Sequence, residues 1–158
     1  VTETSAPLTL AEVESLARAA HEGQTDKAGR PYSEHLAAVA AGVRDRGGDD
    51  DQIAAAWLHD AVEDGALSEG WLRRAALSAR TKDVVRALTK RPGEEPAAYA
   101  ARVLATPGAR LVKEADLAHN ADPARIARLD DAATRTRLTE KYARMRALLG
   151  LDDQPGRS

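Results

Sequence analysis

Cysteine is absent from the 158-residue chain, which excludes disulfides, thiolate catalysis and a cysteine-based zinc site and leaves the redox compartment unmarked. Phenylalanine is absent too, and aromatic residues make up only 3%. Alanine, leucine and arginine dominate instead, a composition that favours helix over strand. No apolar run approaches the length of a membrane span, and Val1-Thr-Glu-Thr-Ser5 lacks a charged-then-apolar leader pattern. An excess of one charge sign is also missing, with 23 basic and 25 acidic side chains and a formal charge of −2. Partners such as nucleic acid or an anionic membrane surface usually call for a strongly basic footprint. Neither partner is expected, and the expected location is the cytoplasm.

The length suits one domain with a sizeable core. Val1–Leu8 reads as a loose tail. Thr9 with Glu12 has capping-box spacing, and Leu10, Val13, Leu16 and Ala20 follow at helical period, ending near His21-Glu22-Gly23. A polar loop runs from Gln24 to Tyr32, with Gly29 and Pro31 as breakers. Ser33 then caps a helix carrying His35, Val39 and Val43, and Asp49–Asp51 open a third helix over about Gln52–Asp64.

Ser68 and Thr81 open the fourth and fifth helices, and Lys90-Arg91-Pro92-Gly93 is a basic loop. Ala97–Ala105 and Ala109–Asn120 read as the sixth and seventh, and Asp122-Pro123 starts a last helical region with a break at Asp130-Asp131. Gly150 stops it, and Leu151–Ser158 reads as a frayed tail. No strand alternation persists and no repeat is present. The expectation is an all-α bundle of about eight helices, ordered over about residues 9–150.

Chemistry concentrates in Ala54–Asp64, which holds the adjacent pair His59-Asp60 and then Glu63-Asp64. On a helix, Asp60, Glu63 and Asp64 at i, i+3 and i+4 would crowd three carboxylates onto one face, a destabilising arrangement unless something offsets it. A divalent cation would do so. Two imidazoles (His35, His59) and two carboxylates (Asp60, Asp116) supply mixed N/O donors with open positions, which suits a hydrolytic rather than a closed structural site. Asp116 and Asn120 lie one turn apart, with Lys113 near the same face. The blander reading of each piece is also in view: a buried histidine is more often a core residue, and an acidic cluster is usually a solvated face.

Four segments in order carry a resemblance. They are Ala20-His-Glu-Gly-Gln24 with Lys27-Ala-Gly-Arg-Pro-Tyr-Ser-Glu-His35, then Ala55–Asp64, then Leu88-Thr-Lys90, then Pro107-Gly-Ala-Arg-Leu-Val-Lys-Glu-Ala-Asp-Leu-Ala-His-Asn120. Together, over about Leu10–Leu149, they resemble the HD phosphohydrolases, in particular the hydrolase domain of the Rel/Spo alarmone enzymes and the stand-alone small alarmone hydrolases. The resemblance implies an all-helical, Mn2+-dependent enzyme, with Fe2+ or Zn2+ as other possibilities, that removes the 3′-pyrophosphate of ppGpp or pppGpp. It implies His35, His59, Asp60 and Asp116 as metal ligands. Glu63 and Asp64 match the pair that handles the attacking water, and Asn120 matches an asparagine that contacts the nucleotide.

Beside it, Lys27, Lys90 and Lys113 are candidate phosphate ligands, since compact ammonium groups suit pyrophosphate. Tyr32, Lys141 and Tyr142 are candidates for the nucleotide wall, although Tyr32 also fits a turn and Tyr142 a core position. His21 reads as a packing residue near the site. His119 projects about 100° from Asn120 on a helix, so a core or surface place is expected for it. Four histidines in all favour a mononuclear site.

One departure bears on substrate. The related enzymes commonly place a basic residue before the lysine matched by Lys27, where it helps sandwich guanine; this chain has Asp26. A carboxylate cannot stack as a guanidinium does, although it can accept from the N1–H and amino edge of guanine. Synthetase and regulatory domains find no room in this sequence, so hydrolysis alone is expected. Three readings follow: a ppGpp pyrophosphohydrolase, a phosphomonoesterase acting on NADPH or another nucleotide, and a non-catalytic nucleotide sensor. No feature fixes an oligomeric state.

Overall fold

The computed structural model describes residues 6–151, so the expected tails at Val1–Ser5 and 152–158 lie outside the described residues. Helices follow one another as α1 (Leu10–Ala20), α2 (Tyr32–Asp45), α3 (Asp50–Leu58), α4 (Glu69–Arg74), α5 (Ala79–Leu88), α6 (Pro96–Ala105), α7 (Ala109–Asn120), α8 (Pro123–Ala127) and α9 (Ala132–Leu148). The extended structure among the described residues is a bridge between Thr25 and Pro31 that pinches the loop before α2. The all-α expectation holds. Among the described residues nine helices stand in place of about eight because Asp131 caps a separate α9, accepting from Ala133 and Thr134.

Side-chain caps set most of the N-terminal boundaries among the described helices. Thr9 and Glu12 form the expected capping box on α1, and Asp49 with Gln52 forms a second on α3. Ser33 does not cap α2: the helix begins at Tyr32 behind Pro31, with no side-chain bond at that end. Ser78, not Thr81, caps α5 by accepting from the Thr81 N–H. Both ends of the described stretch are tied down further than expected. Leu8 donates to the Ala76 carbonyl, and Leu151 is buried.

α3 is the centre of the packing. Gln52 to Leu58 are all buried, and the helix touches α1, α2, α5 and α7. A helix apolar on every side belongs inside a core, which explains the run Ile53-Ala-Ala-Ala-Trp-Leu58. Its three alanines let neighbouring helices approach closely. Glycine has the same use where α2 crosses α7, since a Cβ added at Gly42 would lie 3.2 Å from Ala115 Cβ. That close crossing brings His35 on α2 within reach of Asp116 on α7.

Leu36, fully buried beside His35 on α2, tests the core directly. Leu36→Ala is expected to destabilise the fold by about 2–5 kcal/mol through lost burial and residual cavity. The midpoint of urea unfolding would report it, and an unchanged midpoint would contradict this packing.

Candidate metal centre

α3 stops at Leu58, six residues earlier than the sequence suggested, and His59 is its C-cap. Residues 59–65 form turns, held by bonds such as Asp64 N–H to the Asp60 carbonyl (2.9 Å) and closed by Gly65 at φ 75°. The three carboxylates therefore do not line one helix face. His59 keeps helical backbone angles, φ −59° and ψ −29°, and its Nε2 meets Asp60 Oδ2 at 3.0 Å.

Two more elements complete the cluster. His35 Nε2 lies 2.9 Å from Asp116 Oδ1, and His59 Nε2 lies 3.2 Å from the same oxygen. One donor atom each from His35, His59, Asp60 and Asp116 falls within 4.8 Å of all the others. Each histidine is fixed from behind. His59 Nδ1 donates to the Ala56 carbonyl at 2.6 Å, which turns Nε2 toward the cluster, where a bound cation would take the place of its proton. His35 Nδ1 lies 2.7 Å from His119 Nδ1. Burial, with the Arg125 guanidinium nearby, holds the His119 pKa down at about 4. His119 is thus a neutral acceptor for the His35 Nδ1–H. Two imidazole nitrogens and two carboxylates, aimed at one point and oriented from outside, fit a divalent cation.

The electrostatics are those of a site built for charge. Burial alone would raise the Asp116 pKa, but the Lys113 ammonium and bonds from His35 and His59 hold it well below the usual carboxylate range. Burial would likewise lower the His59 pKa, yet Asp60 and Asp116 raise it well above the ordinary imidazole value. In Asp60, burial is outweighed chiefly by His59, giving a pKa of about 2. Tyr32 donates its hydroxyl to Asp60. Its own pKa is raised by burial and by the Asp60 charge, which keeps it a protonated donor.

The cluster opens into a cavity of about 510 Å3 whose wall includes Glu63, Lys27, Lys90, Lys141, Asn120 and Tyr142. Lys113 also faces it, but its Nζ donates to Asp116 Oδ2 at 2.9 Å, so this ammonium already serves a carboxylate of the cluster. Glu63 Oε1 accepts the Lys90 backbone N–H at 2.7 Å. Asp64 is not on the wall; it is exposed and accepts from Gln24 Nε2 at 3.1 Å. A second cavity of about 300 Å3 adjoins the first, sharing Lys27, Tyr32, Asn120 and Tyr142 with it.

Sequence reasoning missed two residues here. His119 was expected in core or surface, whereas it backs His35; its i+3 spacing from Asp116 on α7 was the available signal. Arg125 carried no expectation, yet it donates to Asn120 Oδ1 at 2.6 Å and to Asp26 Oδ2 at 3.1 Å. Asp26 is accordingly committed: its Oδ1 accepts from the Ala28 and Arg30 amides at 2.9 and 3.0 Å.

Burial would raise the Asp26 pKa, but the Arg30 amide, the Arg125 guanidinium and the Ala28 amide bring it below the ordinary aspartate value. A lowered folded-state pKa means stabilisation that is present above the unfolded value and lost as pH falls through the folded one. Asp26→Asn is expected to lower Tm at neutral pH and to flatten the fall of Tm below about pH 4. Parallel Tm-against-pH curves for the two proteins would contradict this.

A family model described as HD domain matches residues 14–93 of the chain, a stretch that contains His35, His59 and Asp60. The chain belongs to the HD domain family. A probable guanosine-3′,5′-bis(diphosphate) 3′-pyrophosphohydrolase of Synechocystis sp. is 43% identical to this HD protein over 70 residues, covering 44% of this chain and 9% of that one. The guanosine-3′,5′-bis(diphosphate) 3′-pyrophosphohydrolase of Haemophilus influenzae is 41% identical over 58 residues, covering 37% of this chain and again 9% of the relative. The HD protein thus matches only a small fraction of either relative's length. No helix among the described residues is long and apolar enough to cross a membrane.

Proposed function

We propose that this HD protein is a metal-dependent phosphohydrolase that removes the 3′-pyrophosphate of ppGpp or pppGpp, giving GDP or GTP and pyrophosphate. The observation that carries the reading is a divalent-cation donor set opening directly into a cavity edged with lysines. The names of the two relatives support ppGpp as the substrate. His35, His59, Asp60 and Asp116 would hold the cation, for which Mn2+ is proposed. When bound, it would acidify a water and polarise a phosphoryl group.

The chain's own groups do the rest. Glu63, on the cavity wall and outside the four-donor cluster, takes the proton of the attacking water, with Asp64 orienting. The water oxygen bonds to the phosphorus nearest the ribose, the bond from that phosphorus to the 3′-oxygen breaks, and the 3′-oxygen ends up protonated. Lys27, Lys90 and Lys141 compensate the phosphate charge. Asn120, Tyr32 and Tyr142 border the second cavity, where the nucleoside is placed. The domain proposed for this activity spans about residues 9–150.

A second reading keeps the site and changes the substrate: a phosphomonoesterase acting on a nucleotide such as NADPH. The commitment of Asp26 to Arg125 and to loop amides favours it, because that carboxylate is not free to read a guanine edge. A product assay with Mn2+ decides. Pyrophosphate with GDP from ppGpp supports the first reading, orthophosphate from NADPH alone supports the second, and tight ppGpp binding without turnover would indicate a sensor.

Arg125 is expected to matter for binding more than for chemistry. Arg125→Ala frees Asn120 Oδ1 and removes one of the cations on the second cavity's wall, leaving Lys27. Loss of charge-assisted bonds of this kind predicts a rise in KM of about tenfold with kcat little changed. Equal losses in kcat and kcat/KM would contradict that role.

A further inference from the structure

The loop between α1 and α2 carries a chain of contacts that the mechanism above does not use. His21, the C-cap of α1, is 2% exposed, and its Nδ1 lies 2.9 Å from Gln24 Oε1. Gln24 Nε2 in turn donates to Asp64 Oδ2 at 3.1 Å. The polarity of this chain is forced from its far end. A carboxylate only accepts, so the Gln24 amide nitrogen must face Asp64. The amide oxygen then faces His21, and His21 Nδ1 must carry the proton.

The other ring nitrogen has no partner. His21 Nε2 is a buried side-chain polar atom without a hydrogen bond among the described residues. An imidazole buried with one nitrogen unsatisfied costs stability that an apolar side chain of similar size would not. Its use must therefore lie in the Nδ1 bond. The ring is also held in place: Tyr32 packs against it at 5.2 Å between centroids, and the Tyr32 N–H donates to the Gln24 carbonyl at 2.9 Å.

Asp64 is the group that needs such a hold. It is exposed, sits on a turn and stands off the cavity wall, so its side chain has rotamer freedom to lose. Its neighbour on the same turn, Glu63, is on the cavity wall, and a group that takes a proton from water has to be kept in one geometry by its surroundings. We propose that His21 is a positioning residue: through Gln24 it fixes the Asp64 carboxylate, and with it the turn that presents Glu63 to the attacking water. The functional half of this statement rests on the phosphohydrolase reading.

The test uses His21→Leu, which keeps volume and removes the donor, and His21→Asn, whose amide nitrogen reproduces the Nδ1 donor. Gln24→Met and Asp64→Ala complete the set, with the double variant His21→Leu/Asp64→Ala. The first readout is the Gln24 side-chain amide in 1H–15N spectra of metal-free protein. Its proton shift is expected to move in His21→Leu and in Asp64→Ala, and to return towards wild type in His21→Asn. An unmoved signal would overturn the proposal irrespective of any activity.

The second readout is steady-state turnover of ppGpp with Mn2+. His21→Leu and Gln24→Met are expected to lose about tenfold in kcat with KM unchanged, His21→Asn to recover most of it, and the double variant to be no worse than Asp64→Ala. Full kcat in His21→Leu beside a crippled Asp64→Ala would overturn the positioning role. If wild type releases no pyrophosphate, the ppGpp reading falls, while the amide spectra still decide whether His21 holds Asp64.

Discussion

Glu63→Gln is expected to lower turnover by about a thousandfold, the scale of a lost general base, while the protein binds as much metal as before. The separation of effects follows from where Glu63 sits. Its carboxylate borders the cavity but lies outside the four-donor cluster, and the Lys90 amide engages one of its oxygens. Glutamine keeps an oxygen for that amide and cannot take a proton. Metal analysis of the purified variant alongside product release checks both halves. Unchanged turnover would remove Glu63 from the mechanism, and lost metal would place it among the ligands.

His59→Ala is expected to act at the earlier stage, abolishing turnover together with metal binding. His59 Nε2 contacts both Asp60 and Asp116, and its Nδ1 bond to Ala56 fixes the ring at the end of α3. Without it Asp60 keeps Tyr32 and Asp116 keeps His35 and Lys113, but the imidazole closest to both carboxylates is gone, and a buried pair of like charges is costly. Calorimetric titration with Mn2+ is the measurement. Wild-type affinity in the variant would remove the cluster as the metal centre. The fold should survive, because the apolar run from Ile53 to Leu58 keeps its packing.

Much of this was legible in the chain itself. Capping pairs such as Thr9 with Glu12 and stops such as Gly150 are local signals, and α1 and the end of α9 fall where those signals put them. The four cluster residues were legible as residue types in order. The end of α3 was not, since His59 to Asp64 contains no proline or glycine and reads as helix by propensity. Tertiary contact overrode it, with Tyr32 drawing Asp60 and Gln24 drawing Asp64. The pairs His35 with His119 and Asp26 with Arg125 join residues 84 and 99 positions apart. No local pattern encodes partners at such distances.

The meeting point of α2, the end of α3 and α7 has a consequence for the integrity of the chain. His35 and Asp116 are 81 residues apart, and His59 and Asp116 are 57 apart. A divalent ion held by them would act as a removable cross-link, closing long loops in a protein that has no cysteine with which to do so. Its contribution would grow with the logarithm of free metal concentration, so the ion that serves chemistry would also set how firmly the bundle resists proteolysis.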